Sequence, residues 1–79
     1  MRIEVFKTDV AHPHHATLIV EHIQKVFPGY SANFDLTDCD KILRVAAATG
    51  SVDNAELIKI VGALGFEADV LPDEIPHLI

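Results

Sequence analysis

Apolar residues recur along this chain with two spacings, one typical of strands and one typical of helices. Residues 2–8 alternate between apolar and polar types, which predicts a half-buried β-strand. After Pro13, which suits the first position of a helix, residues 14–27 carry apolar side chains three and four positions apart, as on one helix face. The Pro28-Gly29 pair predicts the end of that helix, because proline cannot continue the hydrogen-bond ladder.

The alternation in the first strand separates two faces of the predicted sheet. One face carries Ile3 and Val5, and the other carries Glu4, Phe6 and Thr8. We expect the face with Ile3 and Val5 to be turned toward the helices, and Glu4 and Phe6 to lie on the open side of the sheet.

Two further strands follow the first helix. Residues 31–38 alternate most regularly, and residues 42–48 alternate again after the polar turn 38–41. Segments this close along the chain can pair only as a hairpin. Their apolar faces consist of Ala32, Phe34, Leu36, Leu43, Val45 and Ala47.

The second helix has clear start and stop signals. Asp53 can cap its first turn, and Glu56 follows three positions later, which is the spacing of a capping box. Gly65 predicts the C-terminal end, because glycine readily adopts the left-handed conformation found there. Residues 66–71 alternate once more and form a fourth strand, which Pro72 ends.

The predicted order of elements is β-α-β-β-α-β, within one domain that spans residues 1–79. Its core covers about residues 2–71 and a C-terminal tail covers 72–79. Each βαβ half requires a right-handed crossover, which places both helices on one face. We therefore predict an α+β, ferredoxin-like βαββαβ sandwich with a four-stranded antiparallel sheet. Its open face is expected to carry Glu4, Phe6, Asn33, Asp35, Thr37, Ile42, Arg44 and Ala46.

Composition narrows the classes of partner. The 79 residues carry a net charge of −6, with no basic cluster, which argues against nucleic acid or an anionic membrane as partner. No apolar run approaches the roughly 20 residues that span a bilayer. Met1 leads directly into the alternating strand rather than into a signal sequence, so we expect a cytoplasmic protein. The single cysteine, Cys39, cannot form an internal disulfide, which agrees with a reducing compartment.

The junction between the first strand and the first helix, residues 8–16, is the candidate for chemistry. It contains His12, His14 and His15, three of the five histidines of the chain. Imidazole nitrogens bind divalent zinc, copper and nickel well. Asp9 could add a carboxylate ligand to such a site.

Several segments of the chain resemble sequences of the heavy-metal-associated family, which comprises the small domains of copper chaperones and metal-transporting ATPases. They are the strand–loop–helix junction at 8–16, the segment Phe34-Asp35-Leu36 before a hairpin, and the segment Leu64-Gly65-Phe66-Glu67-Ala68, which joins the second helix to the last strand. The resemblance implies the same fold and, in the first loop, an M-x-C-x-x-C motif that binds a soft metal ion. This chain has no cysteine in that loop, so it resembles a divergent member.

Cys39 does not replace the missing thiolates of that motif. It falls in the turn of the predicted hairpin, where the family has no ligand, and we expect this turn at the opposite end of the sheet from the histidine loop. The carboxylates of Asp38 and Asp40 on either side disfavour the thiolate that nucleophilic chemistry would need.

Two interpretations of the histidines remain open. In one, His12, His14 and His15 bind a divalent transition metal ion, with zinc, copper and nickel as candidates. In the other, they are polar, half-exposed residues at the start of a helix, whose positive dipole end disfavours a cation.

We find no nucleophile with a general base beside it and therefore expect no enzymatic activity. The leading hypothesis is a small domain that resembles the heavy-metal-associated family and has lost the thiolate pair, and that binds either a divalent ion through His12, His14 and His15 or no metal. The alternative is a protein-interaction module of the same fold with no metal role, acting on a protein partner or as a homodimer.

Overall fold

The computed structural model describes residues 2–48 and 50–71, which form six elements. These are β1 (Arg2–Thr8), α1 (Pro13–Val26), β2 (Tyr30–Asp35), β3 (Ile42–Ala47), α2 (Asn54–Ala63) and β4 (Ala68–Leu71). The four strands form one antiparallel sheet in the order β2-β3-β1-β4. This confirms the predicted α+β fold in the ferredoxin-like arrangement. The predicted tail at 72–79 lies outside the described residues.

The core lies between the two helices and one face of the sheet. Its side chains come from alternate strand positions and from the inner face of each helix, as the two spacings in the sequence require. The buried members are Phe6, Val10, Ala16, Ile19, Ile23, Ala32, Leu43, Val45, Ala47, Val52, Leu57, Ile60, Val61 and Ala68. None of the described helices is long and apolar enough to cross a membrane.

The prediction for the two faces of β1 was wrong. Phe6 is fully buried, whereas Ile3 is 52% exposed on the open face. The pairing register explains this, because Phe6 lies opposite Leu43, and residues that face each other across a ladder point to the same side. Glu4 also lies on the helix side, where its carboxylate accepts a hydrogen bond of 3.3 Å from the Asn54 amide.

The other strand residues of the predicted open face agree with the register of the strands, whereas Thr37 lies in the turn after β2. Its members on the inner strand β3 are Ile42, Arg44 and Ala46, which alternate with Leu43, Val45 and Ala47. Ile42 is nevertheless buried, at 6% exposed. On β2 the open face carries Asn33 and Asp35, which lie opposite Arg44 and Ile42. Arg44 and Asp35 form an exposed ion pair at 3.8 Å.

The predicted ends of α2 are confirmed, with one change of partner. The Asp53 carboxylate accepts a hydrogen bond of 3.1 Å from the Glu56 N–H, as a capping residue does. The Asp53 N–H donates a hydrogen bond of 2.9 Å to the Tyr30 hydroxyl oxygen. In a complete capping box the Glu56 side chain would accept this bond. At the other end, Gly65 has a φ of 97°, and the Phe66 N–H returns to the Val61 carbonyl at 3.1 Å.

Three strands are shorter than the alternation predicted, β3 by one residue at its end and β2 and β4 by two residues each. β2 ends at Asp35 because the Asp35 carboxylate accepts hydrogen bonds from both the N–H and the hydroxyl of Thr37, which curls the chain into a turn. β4 begins at Ala68 rather than at Phe66, because Phe66 is still bonded to the end of α2.

The corrected faces of β1 can be tested with two substitutions that each remove three side-chain carbon atoms. We expect Phe6→Leu to destabilise the fold by about 1–3 kcal/mol, because it leaves a cavity in the core. We expect Ile3→Ala to cost about 0.5 kcal/mol, because the side chain is half in water. Urea unfolding followed by circular dichroism measures both, and a larger loss at Ile3 would contradict the assignment.

Candidate functional site

The C-terminal end of β1 is joined to the turn between β2 and β3 by hydrogen bonds of Thr8. The Thr8 N–H donates to the Asp40 carbonyl at 3.1 Å, and the Thr8 hydroxyl donates to the Lys41 carbonyl at 2.6 Å. The same hydroxyl oxygen accepts from the Val10 N–H at 3.2 Å. Thr8 is 8% exposed, so these bonds satisfy polar groups that water reaches poorly.

The connection between α2 and β4 reaches the same end of the molecule. The Asp9 carboxylate accepts a hydrogen bond of 2.9 Å from the Glu67 N–H, and the rings of His15 and Phe66 lie 5.1 Å apart. We call this end the histidine end. It consists of residues 9–16 of the β1–α1 junction, residues 36–41 of the hairpin turn and residues 64–67.

The expectation that Cys39 lies at the opposite end of the sheet was wrong. β1 runs toward the histidine loop and β3 runs antiparallel to β1, so the turn that precedes β3 must lie beside the end of β1. The bonds from Thr8 to Asp40 and Lys41 show this contact directly. Cys39 is exposed and is a free thiol at the histidine end.

The structure places the three predicted histidines around the start of α1. His12 precedes the helix with an extended backbone and makes no side-chain capping bond, and Pro13 takes the first helical position. The ring centroids of His12 and His15 lie 5.2 Å apart, and those of His14 and His15 lie 6.2 Å apart. His12 and His14 are exposed, whereas His15 is half-buried against Phe66.

The hairpin turn contributes a second set of groups with ligand chemistry. In the part of the chain that the structure describes, Asp38, Cys39 and Asp40 form a trio whose potential ligand atoms all lie within 4.8 Å of one another. One Asp38 oxygen already accepts a hydrogen bond of 2.9 Å from the Asp40 N–H, as in an ordinary turn. No such trio includes the predicted histidines among the described residues.

Charge at the histidine end comes from the helix and from the acidic side chains around it. The N-terminus of α1 contributes the positive end of a dipole. Carboxylates of Asp9, Asp38, Asp40 and Glu67 belong to the three connections that meet there. They offset the positive end, so the helix dipole is a weaker argument against a cation than the sequence alone suggested.

Hydrogen bonds also tune the carboxylate at the base of the turn. The Thr37 hydroxyl donates to Asp35 at 2.6 Å and its N–H donates at 3.2 Å, and together with the charge of Arg44 these lower the pKa of Asp35. Because the folded-state pKa is lowered, these interactions stabilise the fold above the ordinary carboxyl range. That contribution is lost as the pH falls through the lowered pKa.

Sequence reasoning found the histidines but not the residue that organises their surroundings. Thr8 lies on the same face of β1 as Phe6, and a buried hydroxyl needs hydrogen-bond partners. This pattern was the signal in the sequence that Thr8 bonds to neighbouring segments. That signal was missed because the face itself was assigned to solvent.

Comparison of the chain with protein-family models, with curated proteins and with solved structures found no match. The resemblance to heavy-metal-associated domains therefore stays a prediction from the sequence.

The role of Thr8 leads to a stability prediction. We expect Thr8→Val to lower the free energy of unfolding by about 1–3 kcal/mol, because it leaves the Val10 N–H and the Lys41 carbonyl without their partner. The matched control is Thr17→Val, which removes an exposed hydroxyl bonded to Pro13 and should cost about 0.5 kcal/mol or less. Equal effects in urea unfolding would show that Thr8 does not hold this end together.

The turn leads to a second prediction. We expect Thr37→Val to raise the pKa of Asp35 toward the ordinary carboxyl range, because the shortest hydrogen bond to the carboxylate is lost. The carboxyl ¹³C shift of Asp35, followed as a function of pH by NMR, measures this change. Thr17→Val again serves as the control, and an unchanged Asp35 titration in Thr37→Val would refute the assigned cause.

Proposed function

We propose that this chain is a small, non-enzymatic domain that binds a divalent transition metal ion through His12 and His15, with His14 as a third imidazole. The observation that carries the proposal is the separation of 5.2 Å between the ring centroids of His12 and His15. Two imidazoles that bind one tetrahedral ion at about 2.0–2.1 Å place their centroids roughly 5 Å apart. Metal binding at this pair therefore requires rotation of the rings more than displacement of the backbone.

The surroundings of the pair support the proposal in a second way. His15 packs against Phe66, which restricts the ring and lowers the entropy lost when a ligand is ordered. His14, the residue before His15, is exposed, and the ring centroids of the two residues lie 6.2 Å apart. A change of side-chain rotamer can bring the His14 ring to the same ion. A tetrahedral site would take its remaining ligands from water or from a nearby carboxylate.

The ligand chemistry favours zinc, nickel or divalent copper over monovalent copper. Soft thiolates select the monovalent ion, and the chain has one cysteine, whereas imidazoles suit the divalent ions. In this proposal the domain is a divergent relative of the heavy-metal-associated domains that acts in the cytoplasm. It uses the same junction between first strand and first helix, with imidazoles in place of thiolates.

The metal prediction uses the tag-free chain, titrated with Zn²⁺, Ni²⁺ and Cu²⁺ while the histidine rings are followed by NMR. We expect saturable binding at the rings of His12 and His15, and a loss of affinity of roughly tenfold or more in the His12→Ala/His15→Ala variant. Binding should also weaken in acid, because a protonated imidazole cannot hold a metal.

Two matched variants sharpen that experiment. His22→Ala removes an exposed histidine from the middle of the same helix and should leave the affinity unchanged. Cys39→Ser tests whether the neighbouring Asp38-Cys39-Asp40 turn holds the ion instead. Affinity that survives the double histidine variant but is lost in Cys39→Ser would reject the histidine site, as would equal effects of His22→Ala and the double variant.

A protein-interaction module is the second candidate function. It is favoured by an open, apolar groove of about 510 Å³ between α1 and the edge strand β2. An apolar groove beside an edge strand can bury alternate side chains of an extended segment.

A further inference from the structure

We propose that the groove between α1 and β2 binds an extended, basic segment of a partner protein, which adds to β2 as a fifth, antiparallel strand. The inference rests on the second candidate function and is independent of the metal site. The groove lies on the helix side of the sheet, and its apolar lining comes from Ala16, Val20, Ala32, Phe34 and Leu36.

The backbone of β2 offers hydrogen-bonding groups on the side away from β3. β2 is an edge strand, because it pairs with β3 on one side and with no strand of the described sheet on the other. The Ala48 N–H donates to the Gly29 carbonyl at 3.2 Å, so the residues that alternate with Gly29 along β2 direct their backbone groups toward β3. The residues between them direct their backbone groups outward. The Tyr30 N–H among these already donates to the Phe27 carbonyl at 2.9 Å, so Ala32 and Phe34 offer the groups that a further strand would use.

The side chain of Gln24 already imitates such a strand. The Gln24 side-chain carbonyl accepts a hydrogen bond of 3.2 Å from the outward Ala32 N–H. Gln24 is exposed on α1, so its amide can rotate away into water. It occupies the place where the backbone carbonyl of an added strand would accept the same hydrogen bond.

The net negative charge of the chain selects a basic segment over a second copy of the same chain. Glu21 is the charged residue in the lining of the groove, whereas Asp35, on the other face of the sheet, is already paired with Arg44 at 3.8 Å. The whole chain carries a net charge of −6. Pairing of β2 with β2 of another copy would bring these like charges together, whereas lysine or arginine side chains complement them.

Antiparallel pairing also sets which side chains of the partner enter the groove. A residue opposite Ala32 exchanges both backbone hydrogen bonds with it, and its side chain points to the same side of the sheet as that of Ala32. The partner residues that bond to β2 therefore place apolar side chains in the groove. The alternate residues place their side chains on the open face beside Ser31, Asn33 and Asp35, where basic groups stay in water and are attracted by the net negative charge of the chain.

The test uses a synthetic six-residue peptide of alternating valine and lysine, acetylated and amidated, titrated into the ¹⁵N-labelled chain. We expect saturable shifts at the amides of Ala32 and Phe34 and along α1 from Ala16 to Gln24. A peptide with glutamate in place of lysine should bind roughly tenfold more weakly. Methylation of the valine amide nitrogens should abolish binding, whereas methylation of the lysine amide nitrogens should leave it, because only the valine N–H groups face β2.

Two pairs of protein variants test the same contact from the other side. Val20→Gln, in the groove, should weaken peptide binding by roughly tenfold, whereas Leu18→Gln, an exposed position of the same helix outside the groove, should not. Gln24→Ala should tighten binding by roughly two- to tenfold, because the peptide no longer displaces the capping amide.

The remaining outcomes overturn the inference. Absence of binding by the valine–lysine peptide would mean that Gln24 only protects the edge strand from pairing. Shifts confined to the open face of the sheet, around Ile3 and Arg44, would support an interaction module but reject this groove. A dimer in sedimentation experiments that Gln24→Ala strengthens would identify the occupant as a second copy of the chain.

Discussion

The histidine end depends on the buried hydroxyl of Thr8. Among the described residues, Thr8 carries the buried polar side chain. Its hydroxyl donates a hydrogen bond to the Lys41 carbonyl in the hairpin turn and accepts one from the Val10 N–H in the loop that follows β1. These bonds accompany a left-handed backbone at Lys41, which has a φ of 49°. A non-glycine residue keeps that conformation only where its neighbours impose it. Strand direction brings the hairpin turn to this end, and the Thr8 hydroxyl fixes its contact with the loop that carries the histidines.

Local signals in the sequence were sufficient for the elements and their order. The capping residue Asp53 and the left-handed Gly65 mark the ends of α2 through interactions within a few residues, and both were predictable for that reason. The faces of β1 were not predictable in the same way. Alternation separates Phe6 from Ile3 but does not say which is buried, since both are apolar. The register with Leu43, a contact across 37 positions of the chain, decides it.

The candidate site shows the same division between local and distant information. His12, His14 and His15 are neighbours in sequence, so their proximity could be predicted from helical spacing. Their surroundings come from Phe66 and from the turn around Cys39, which are distant in sequence. Strand direction alone would have placed that turn at the histidine end, because a hairpin after a crossover helix returns to the end at which the first strand finished.

The two proposed surfaces share α1 but need not influence each other. Coupling between sites requires an element with two arrangements that both ligands bias. α1 is held against the sheet by Ile19 and Ile23, which are at most 1% exposed, so its position is set by the core. His15 faces Phe66, whereas Ala16 and Val20 face the groove beside β2. A metal ion and an added strand would then contact different sides of one rigid helix, and their binding free energies should add.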